Sequence, residues 1–301
     1  MYALNYVTGL CISKFLHLSS FLKISNNFIY LSQLDGLKQG STSNAGIALI
    51  HFIYTSWVRN NMMSTLVFDI TKFFPSLNHQ LLPLIIGKTG FNAKISHFFS
   101  NYLVGRKTQY FWNNFSSSFF SVNIGVGQGL ALSPILSALY ITPILHILEK
   151  CLQILKNPVS ILSFVNDGLL MAQSKLLTIS NSLLFCSYNI TSSILERFGL
   201  IMKHRKIKVI HFSRLHEVFY PSLLDLSALG GLILHSKSTW KYLGFIFDRK
   251  LSFWQHINFY ANKAISMVKC MKILGNYVRG LNPQQKLHPS YYSSWGLTMV
   301  L

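Results

Sequence analysis

The apolar segments of the chain predict both strands and helices. Residues 65–70 (TLVFDI) form an apolar, β-prone run that ends shortly before a proline, which cannot continue strand pairing. Residues 161–171 place two apolar arms around Asn-Asp-Gly at 166–168, a combination typical of a tight hairpin because these residues tolerate positive φ. The pattern therefore predicts Asp69 at a strand end and Asp167 at a hairpin tip.

Two other segments predict helices. Ser133 and Pro134 fit the N-cap and the first helical position of a long apolar helix. Residues 258–279 carry apolar side chains at helical spacing with basic residues off that stripe, which predicts an amphipathic helix. The stripe consists of Ile265, Val268, Met271 and Leu274. No repeat and no Pro/Ser/Gly-rich linker interrupts the chain, so one continuous domain is the simplest division.

Composition adds an unusual charge balance to this pattern. The 301 residues include 27 Lys and Arg against 8 Asp and Glu, for a net charge of +19, while 50% are hydrophobic and 14% aromatic. A chain this apolar can form a packed core, which excludes a disordered basic tail. A polyanionic partner explains the excess of basic residues, although a solvated basic face is the ordinary alternative. The eight acids are Asp35, Asp69, Glu149, Asp167, Glu196, Glu217, Asp225 and Asp248.

A membrane protein is the main alternative at the level of composition. The windows 39–58 and 129–148 carry no formal charge and are long enough to span a bilayer. Both contain several polar side chains or prolines, which favours buried helices of a soluble core. The four cysteines contain no CxxC pair, so neither a structural zinc module nor a disulfide scaffold is indicated.

A glycine-rich loop lies between the two candidate acids. Residues 125–136 (GVGQGLALSPIL) allow close approach of the backbone to a ligand or nucleic acid. The spacing fits neither a Walker loop nor a dinucleotide-binding loop.

Taken in order, FDITKFFPSLNH (68–79), GVGQGLALSPIL (125–136) and SFVND (163–167) resemble motifs A, B and C of reverse transcriptases. The likeness is strongest to non-LTR, LINE-like retrotransposons, particularly fungal ones. FGL at 198–200 followed by Lys206 looks like motif D, and WKYLGFIFD (240–248) looks like the primer grip. GLKQGST (36–42) resembles part of the fingers, and the likeness extends over roughly residues 33–286.

The resemblance implies an α+β, right-hand polymerase fold with an antiparallel palm sheet and the start of a helical thumb. Fingers and palm would occupy residues 1–250, with the fingers at approximately 1–62 and 79–119. The truncated start of the thumb would occupy residues 251–301.

The implied chemistry is RNA-directed DNA synthesis from an RNA template, a DNA primer and a dNTP. Mg²⁺, for which Mn²⁺ can substitute, would support a two-metal nucleotidyl transfer. The resemblance assigns metal binding to Asp69, Asp167 and the backbone of Ile70. It places Asp69, Asn166, Asp167 and Lys206 in the catalytic set, and Leu243 and Gly244 in the primer grip.

Nucleotide and template contacts are assigned in the same way. The residues expected to bind substrate are Phe74, Gln128, Gly129, Lys38, Arg106 and Lys107. Phe74 matches the position where an aromatic ring excludes a ribose 2′-hydroxyl, although most Phe residues simply pack in a core. Gln128 can equally bind neighbouring backbone groups, and Lys206 can be an ordinary surface lysine. Asp167, considered alone, can be an ordinary turn acid.

Departures from the family pattern predict a degenerate element. Asn166 stands where the family has the principal metal-binding aspartate, Leu130 where it usually has serine, and Lys208 where this subgroup tends to have glutamate. Because the Asn166 amide is neutral, the site lacks the negative charge of that aspartate, which should weaken Mg²⁺ binding. Asp167 is not expected to replace it, because adjacent residues of an extended hairpin point to opposite faces.

We therefore expect an impaired reverse transcriptase, with a non-catalytic RNA- or DNA-binding remnant as the alternative and a multi-pass membrane protein as a weaker one. The chain is expected not to enter a membrane, and nothing in the sequence indicates an obligate oligomer. The family resemblance implies a ribonucleoprotein of the nucleus or cytoplasm.

Overall fold

The computed structural model describes residues 41–88, 91, 93–130, 132–155, 159–214, 224–226 and 232–275. Two compact units divide between Lys237 and Ser238. The sequence predicts a boundary between palm and thumb at residues 250/251. Because compact units do not by themselves identify fingers, palm or thumb, that boundary stays a prediction.

The first unit combines helices with short and long strands. Over the described residues its elements are α1 (Thr42–Val58), β1 (Met62–Thr71), a 3₁₀ turn (Phe74–Ser76), α2 (Leu81–Gly87), α3 (Ala93–Leu103), β2 (Lys107–Thr108), β3 (Phe111–Trp112), β4 (Phe115–Ser116), β5 (Phe120–Ser121), α4 (Ser133–Gln153), β6 (Ser160–Phe164), β7 (Asp167–Ser174), α5 (Leu177–Arg197), β8 (Ile201–Met202), a second 3₁₀ turn (His204–Lys206), β9 (Lys208–Phe212), β10 (Leu224–Leu226) and β11 (Leu232–Leu234).

The main sheet has the order β6-β7-β1-β8, and β9 also pairs with β1. All of these pairings are antiparallel. One edge of β1 therefore faces β7, while its other edge pairs first with β9 and then with β8. This antiparallel sheet, together with the helices that pack on it, confirms the predicted α+β class.

The central strand is buried along almost its whole length. From Met62 to Ile70 every residue of β1 is buried, including Asp69. Burial on both faces requires packing on both sides of the sheet, and α1 and α5 both contact β1. The apolar run seen in the sequence is therefore a central core strand with one carboxylate near its end.

Helix α4 includes most of the second uncharged window, residues 133–148. It spans 21 residues, and 61% of its most apolar window is buried inside the protein. By length and composition it could cross a membrane, but a buried core helix passes the same test. The expectation that the chain does not enter a membrane stays a prediction.

The predicted N-cap of α4 is wrong by one residue. Leu132 is the N-cap, and no side chain caps the helix there. Ser133 is instead the first helical residue, and its hydroxyl donates to the carbonyl of Gly127. The hydroxyl therefore fastens the glycine-rich loop rather than the end of the helix.

The second unit contains a hairpin and a helix: β12 (Thr239–Tyr242), β13 (Phe245–Asp248) and α6 (Trp254–Gly275). The predicted amphipathic helix is confirmed over its described residues, with a start four residues before position 258. The two stripe residues whose side chains the structure describes, Ile265 and Val268, are each 52% exposed.

Candidate active site

Two acids meet at one end of the main sheet. Asp69 of β1 and Asp167 of β7 are directly opposite each other in the antiparallel register. Side chains of directly opposed residues project from the same face of a sheet. Two acids that lie far apart in the sequence, in the segments that resemble motifs A and C, are thus brought together.

The turn between β6 and β7 places Asp167 and Asn166. Phe164 pairs with Asp167, so the two turn residues are Val165 and Asn166. The predicted hairpin is confirmed, but Asp167 begins a strand rather than occupying the tip. The left-handed position belongs to Val165, with φ 54°, which is a strained conformation for a β-branched residue.

Gly168 has a packing role instead of the predicted turn role. A Cβ atom at this position would lie 2.1 Å from the Phe68 ring, so only glycine lets the neighbouring strand accept that ring. The aromatic residue of motif A and the glycine after motif C therefore pack directly against each other.

Both carboxylate oxygens of Asp69 bind nitrogen donors. The Asn166 side-chain amide donates to Oδ1, and the Lys206 ammonium donates to Oδ2 at 2.7 Å. The backbone reinforces this arrangement, because the Lys203 N–H donates to the Asp69 carbonyl at 2.8 Å and the Ile70 N–H donates to the Asn166 carbonyl at 2.9 Å. The predicted catalytic residues of motifs A, C and D therefore form one contiguous group.

The expectation that residues 166 and 167 point to opposite faces is wrong for this hairpin. Asn166 is a turn residue rather than an extended one, so its side chain reaches Asp69 while Asp167 is the cross-strand partner of the same residue. Strand alternation does not apply within a turn.

The electrostatics of the group follow from this crowding. Burial raises the pKa of the Asp167 carboxyl, the nearby Asp69 charge raises it further, and Lys206 acts in the opposite direction. The hydrogen bond and charge of Asp69 raise the pKa of Lys206. Lys206 is therefore a stable cation beside two carboxyl groups, although its side chain is 56% exposed.

The glycine-rich loop is fastened to the segment that follows Asp69. The Gly125 N–H donates to the Leu77 carbonyl at 2.7 Å, and the Val126 N–H donates to the Phe74 carbonyl at 2.8 Å. Gly125 has φ +84°, and a Cβ atom there would lie 2.5 Å from the Pro75 carbonyl oxygen. Only glycine permits this approach, which fixes motif B beside motif A.

Sequence reasoning missed a histidine at this junction. His79 Nε2 hydrogen-bonds the Gly125 carbonyl at 2.6 Å and so joins the end of motif A to the loop. Its position at the end of the motif A string was the only available signal, and that signal did not identify a partner.

The remaining predicted substrate residues differ in burial and in their contacts. Phe74 is half-buried and packs on the core, whereas Gln128 and Gly129 are exposed on the loop. Arg106 lies 5.1 Å from the Tyr102 ring centroid, while Lys107 is exposed in β2. Their nucleotide and template roles stay predictions.

Two predicted contacts fall elsewhere. Lys38, with most of the predicted fingers segment 36–42, lies outside the described residues. Leu243 and Gly244 form the two-residue turn of the second unit, both with positive φ, as expected of a type I′ hairpin. Their role in gripping a primer stays a prediction.

The donor set fits a small divalent cation, but it is reduced. Mg²⁺ is commonly held by one or two carboxylates plus substrate phosphates, and Asp69 and Asp167 supply two carboxylates on one face. Within the described ranges no group of three or more His, Cys, Asp or Glu side chains is present. A cation at this position competes with Lys206 and Asn166 for the oxygens of Asp69.

Comparison with known families decides the broader identity. The family model for reverse transcriptases (RNA-dependent DNA polymerases) matches residues 13–247. The chain belongs to this family. The segments that resemble motifs A, B, C and D all lie inside the matched region, and the family prediction is confirmed. The family model does not distinguish fungal, LINE-like elements from other reverse transcriptases, so that narrower assignment stays a prediction.

Solved structures show the same fold at low sequence identity. Telomerase from Candida tropicalis, in complex with the TWJ fragment of telomeric RNA, is 15% identical and has a TM-score of 0.57 over 78% of this chain. The apo form is 14% identical, with a TM-score of 0.56 over 83% of this chain. The chain spans 36% and 40% of those two proteins. No curated protein matches the sequence.

Proposed function

We propose that this chain is the RNA-directed DNA polymerase core of a non-LTR retroelement, with nucleotidyl transfer impaired by Asn166. The observation that carries the proposal is the direct pairing of Asp69 with Asp167 beside a glycine-rich loop fastened to motif A. An RNA template, a DNA primer and a dNTP are the proposed substrates. The strongly basic composition is consistent with such polyanions.

Asp69 and Asp167, with the backbone carbonyl of Ile70, are the proposed ligands of Mg²⁺ or Mn²⁺. When bound, such ions activate a primer 3′-hydroxyl and stabilise the leaving pyrophosphate. Asn166 keeps an oxygen ligand but lacks the negative charge of the family aspartate. The impairment follows because the site has one fewer carboxylate to compensate for desolvation of the cation.

The other residues position the substrates. Phe74 is proposed to limit the space around the ribose, and Gln128 and Gly129 to contact the nucleotide and template from the loop. Arg106 and Lys107, together with Lys38, are proposed to contact phosphate groups. The Phe74 carbonyl already bonds Val126, so the proposed gate and the loop are held in one arrangement.

Lys206 is proposed to supply a proton or positive charge to the leaving pyrophosphate. Its ion pair with Asp69 holds it in the site before substrate arrives. For this role the Lys206 ammonium must leave the Asp69 carboxylate and bind the phosphate instead. Substrate binding would therefore free one oxygen of Asp69.

A non-catalytic RNA-binding remnant is the second candidate. The engagement of both Asp69 oxygens by Asn166 and Lys206 favours it, because the acid is neutralised by the protein itself. This candidate retains the same basic surface and predicts binding without nucleotide incorporation.

Primer extension and template binding, measured together on the full chain, test the proposal. We expect salt-sensitive binding to a primer annealed to RNA, with slow extension in Mg²⁺ or Mn²⁺ that Asp69→Ala abolishes and Glu149→Ala, in α4, preserves. Binding without extension by the native chain would favour the remnant. Absence of binding at low salt would contradict both candidates.

A further inference from the structure

A second surface of the first unit is unusual because large aromatic side chains are exposed on it. The aromatic hairpin, defined as residues 107–121, includes β2, β3, β4 and β5. Its aromatic members Tyr110, Phe111, Trp112, Phe115, Phe119 and Phe120 are exposed, from 38% for Phe120 to 77% for Trp112. Single exposed apolar residues are ordinary, but a contiguous group indicates a binding surface.

The aromatic hairpin is held in a defined conformation. Strand β2 pairs with β5, and β3 pairs with β4 around the turn at Asn113. Between these ladders the Gln109 side chain donates to the Ser117 carbonyl at 2.6 Å, and the Tyr110 N–H donates to the Ser117 hydroxyl at 3.0 Å. The exposed rings are therefore displayed by an ordered backbone, which lowers the entropy lost on binding.

The register assigns the rings to faces. Trp112 and Phe115 are directly opposed and project from one face, whereas Phe111 is opposed to Ser116 and projects from the other. Trp112 and Phe115 are 77% and 66% exposed. This pair presents two large π surfaces on the same side of the hairpin.

Charge selects the class of partner. The sequence from 70 to 148, which includes the whole aromatic hairpin, contains no Asp or Glu, and its charged residues are Lys72, Lys88, Lys94, Arg106 and Lys107. Exposed aromatic rings combined with basic side chains are the usual means of binding single-stranded nucleic acid, because every base has a π face and every linkage carries a negative charge. A neutral lipid surface or an apolar protein face does not require this charge bias.

The aromatic hairpin is also joined to the glycine-rich loop. The Val122 N–H donates to the Arg106 carbonyl at 2.8 Å, and a Cβ atom on Gly127 would lie 4.0 Å from an Arg106 guanidinium nitrogen. The other terminal nitrogen, Nη1, is buried and has no hydrogen-bond partner among the described residues. A buried guanidinium donor without an acceptor favours an anionic ligand such as a phosphate.

We propose that the aromatic hairpin binds unpaired bases of an RNA strand by stacking on Trp112 and Phe115, with Arg106 at its base contacting a phosphate. This inference rests on the proposed function and deepens it, since the bound RNA would be the template near the glycine-rich loop. The stacking residues Trp112 and Phe115 lie outside the segments that resemble the polymerase motifs.

Binding of a fluorescein-labelled 20-nucleotide oligouridylate to the full chain, followed by anisotropy over a range of KCl concentrations, tests the proposal. Stacking contributes enough that Trp112→Ser with Phe115→Ser should weaken single-strand affinity by at least about fivefold. The dependence on salt should be unchanged, because no charge is removed. Phe111→Ser, on the opposite face of the same strand, is the matched control and should stay within about twofold of the native chain.

Two more measurements separate stacking from misfolding and from other partners. Trp112→Phe with Phe115→Tyr keeps an aromatic ring at both positions and should bind like the native chain. A duplex RNA should bind the serine variant as well as it binds the native chain. Equal losses for Phe111→Ser and the double serine variant would overturn the proposal. So would weak binding by the ring-preserving variant, or Trp112-dependent capture by phosphatidylcholine vesicles with unchanged RNA affinity. The binding assay contains no dNTP and requires no catalysis, so failure of primer extension would count against the proposed function alone.

Discussion

Replacement of Asn166 by aspartate should make folding stability depend on a divalent cation. In the native chain the Asn166 amide donates to Asp69, a residue that is only 8% exposed. Asn166→Asp removes this donor and places a third carboxyl group beside Asp69 and Asp167. The charge of Lys206 offsets only part of the added repulsion.

The magnitude follows from three terms. A hydrogen bond to a charged group contributes about 1.5–3 kcal/mol, and two like charges roughly 4 Å apart at an effective dielectric constant of about 20 repel by about 4 kcal/mol. The repulsion has a ceiling, because protonating an ordinary Asp carboxyl at pH 7 costs only about 4 kcal/mol. With partial compensation by Lys206, we expect a net loss of about 2–4 kcal/mol in the free energy of unfolding.

Urea denaturation in EDTA and in MgCl₂, at matched ionic strength, measures this effect. A cation concentration of about 100 times its dissociation constant returns about 2.7 kcal/mol, so Mg²⁺ should restore most of the loss. Asn166→Ala is the control, because it removes the amide without adding a charge and should respond little to Mg²⁺. Two results would contradict this prediction: an Asn166→Asp chain as stable as the native chain in EDTA, or equal stabilisation of Asn166→Asp and the native chain by Mg²⁺.

Three further predictions follow from individual contacts. Gly168→Ala should lose about 1–3 kcal/mol of unfolding free energy, because its Cβ would contact the Phe68 ring. Gly87→Ala is the control and should lose little, because a Cβ there has no neighbour within 4 Å. Equal urea midpoints for the two variants would contradict this prediction. Lys206→Met should tighten Mn²⁺ binding, measured by electron paramagnetic resonance, because it removes a competitor for an acid oxygen; weaker binding would show that Lys206 does not compete. Burial lowers the pKa of His256 below its ordinary value of 6.5. As the pH falls, this imidazole is therefore protonated in the unfolded chain before it is protonated in the folded chain. Stability should therefore be complete above pH 6.5 and fall as the pH decreases toward the folded pKa, and a thermal midpoint that is flat in this window would contradict the assignment.

Local patterns predicted the parts of the fold that depend on neighbouring residues. The apolar run around Asp69 is a strand, the Asn-Asp-Gly segment lies at a hairpin, and the helix after the glycine-rich loop is present. The motif order also predicted that Asp69 and Asp167 belong to one site. Hydrophobic periodicity and turn composition contain this information because they act over a few residues.

Contacts between distant residues were not predictable in the same way. The pairing of Lys206 with Asp69 depends on how β8 and its following turn meet β1, and no short pattern encodes that meeting. The left-handed Val165 contradicts local preference, which would have placed positive φ at Gly168. Packing of the Phe68 ring on that glycine explains why the turn lies earlier.

We propose that a polymerase site remains assembled in this chain and lacks one carboxylate. Single-nucleotide incorporation on a primer annealed to RNA, with Mg²⁺ present to stabilise the fold, is the decisive measurement. Even supporting residues of metal sites affect activity by 10- to 100-fold, so Asn166→Asp should incorporate at least ~100-fold faster than the native chain. Adding Asp69→Ala should return the rate to background. Equal incorporation by the native chain and Asn166→Asp, with both folded and bound to template, would show that the missing carboxylate does not limit the reaction.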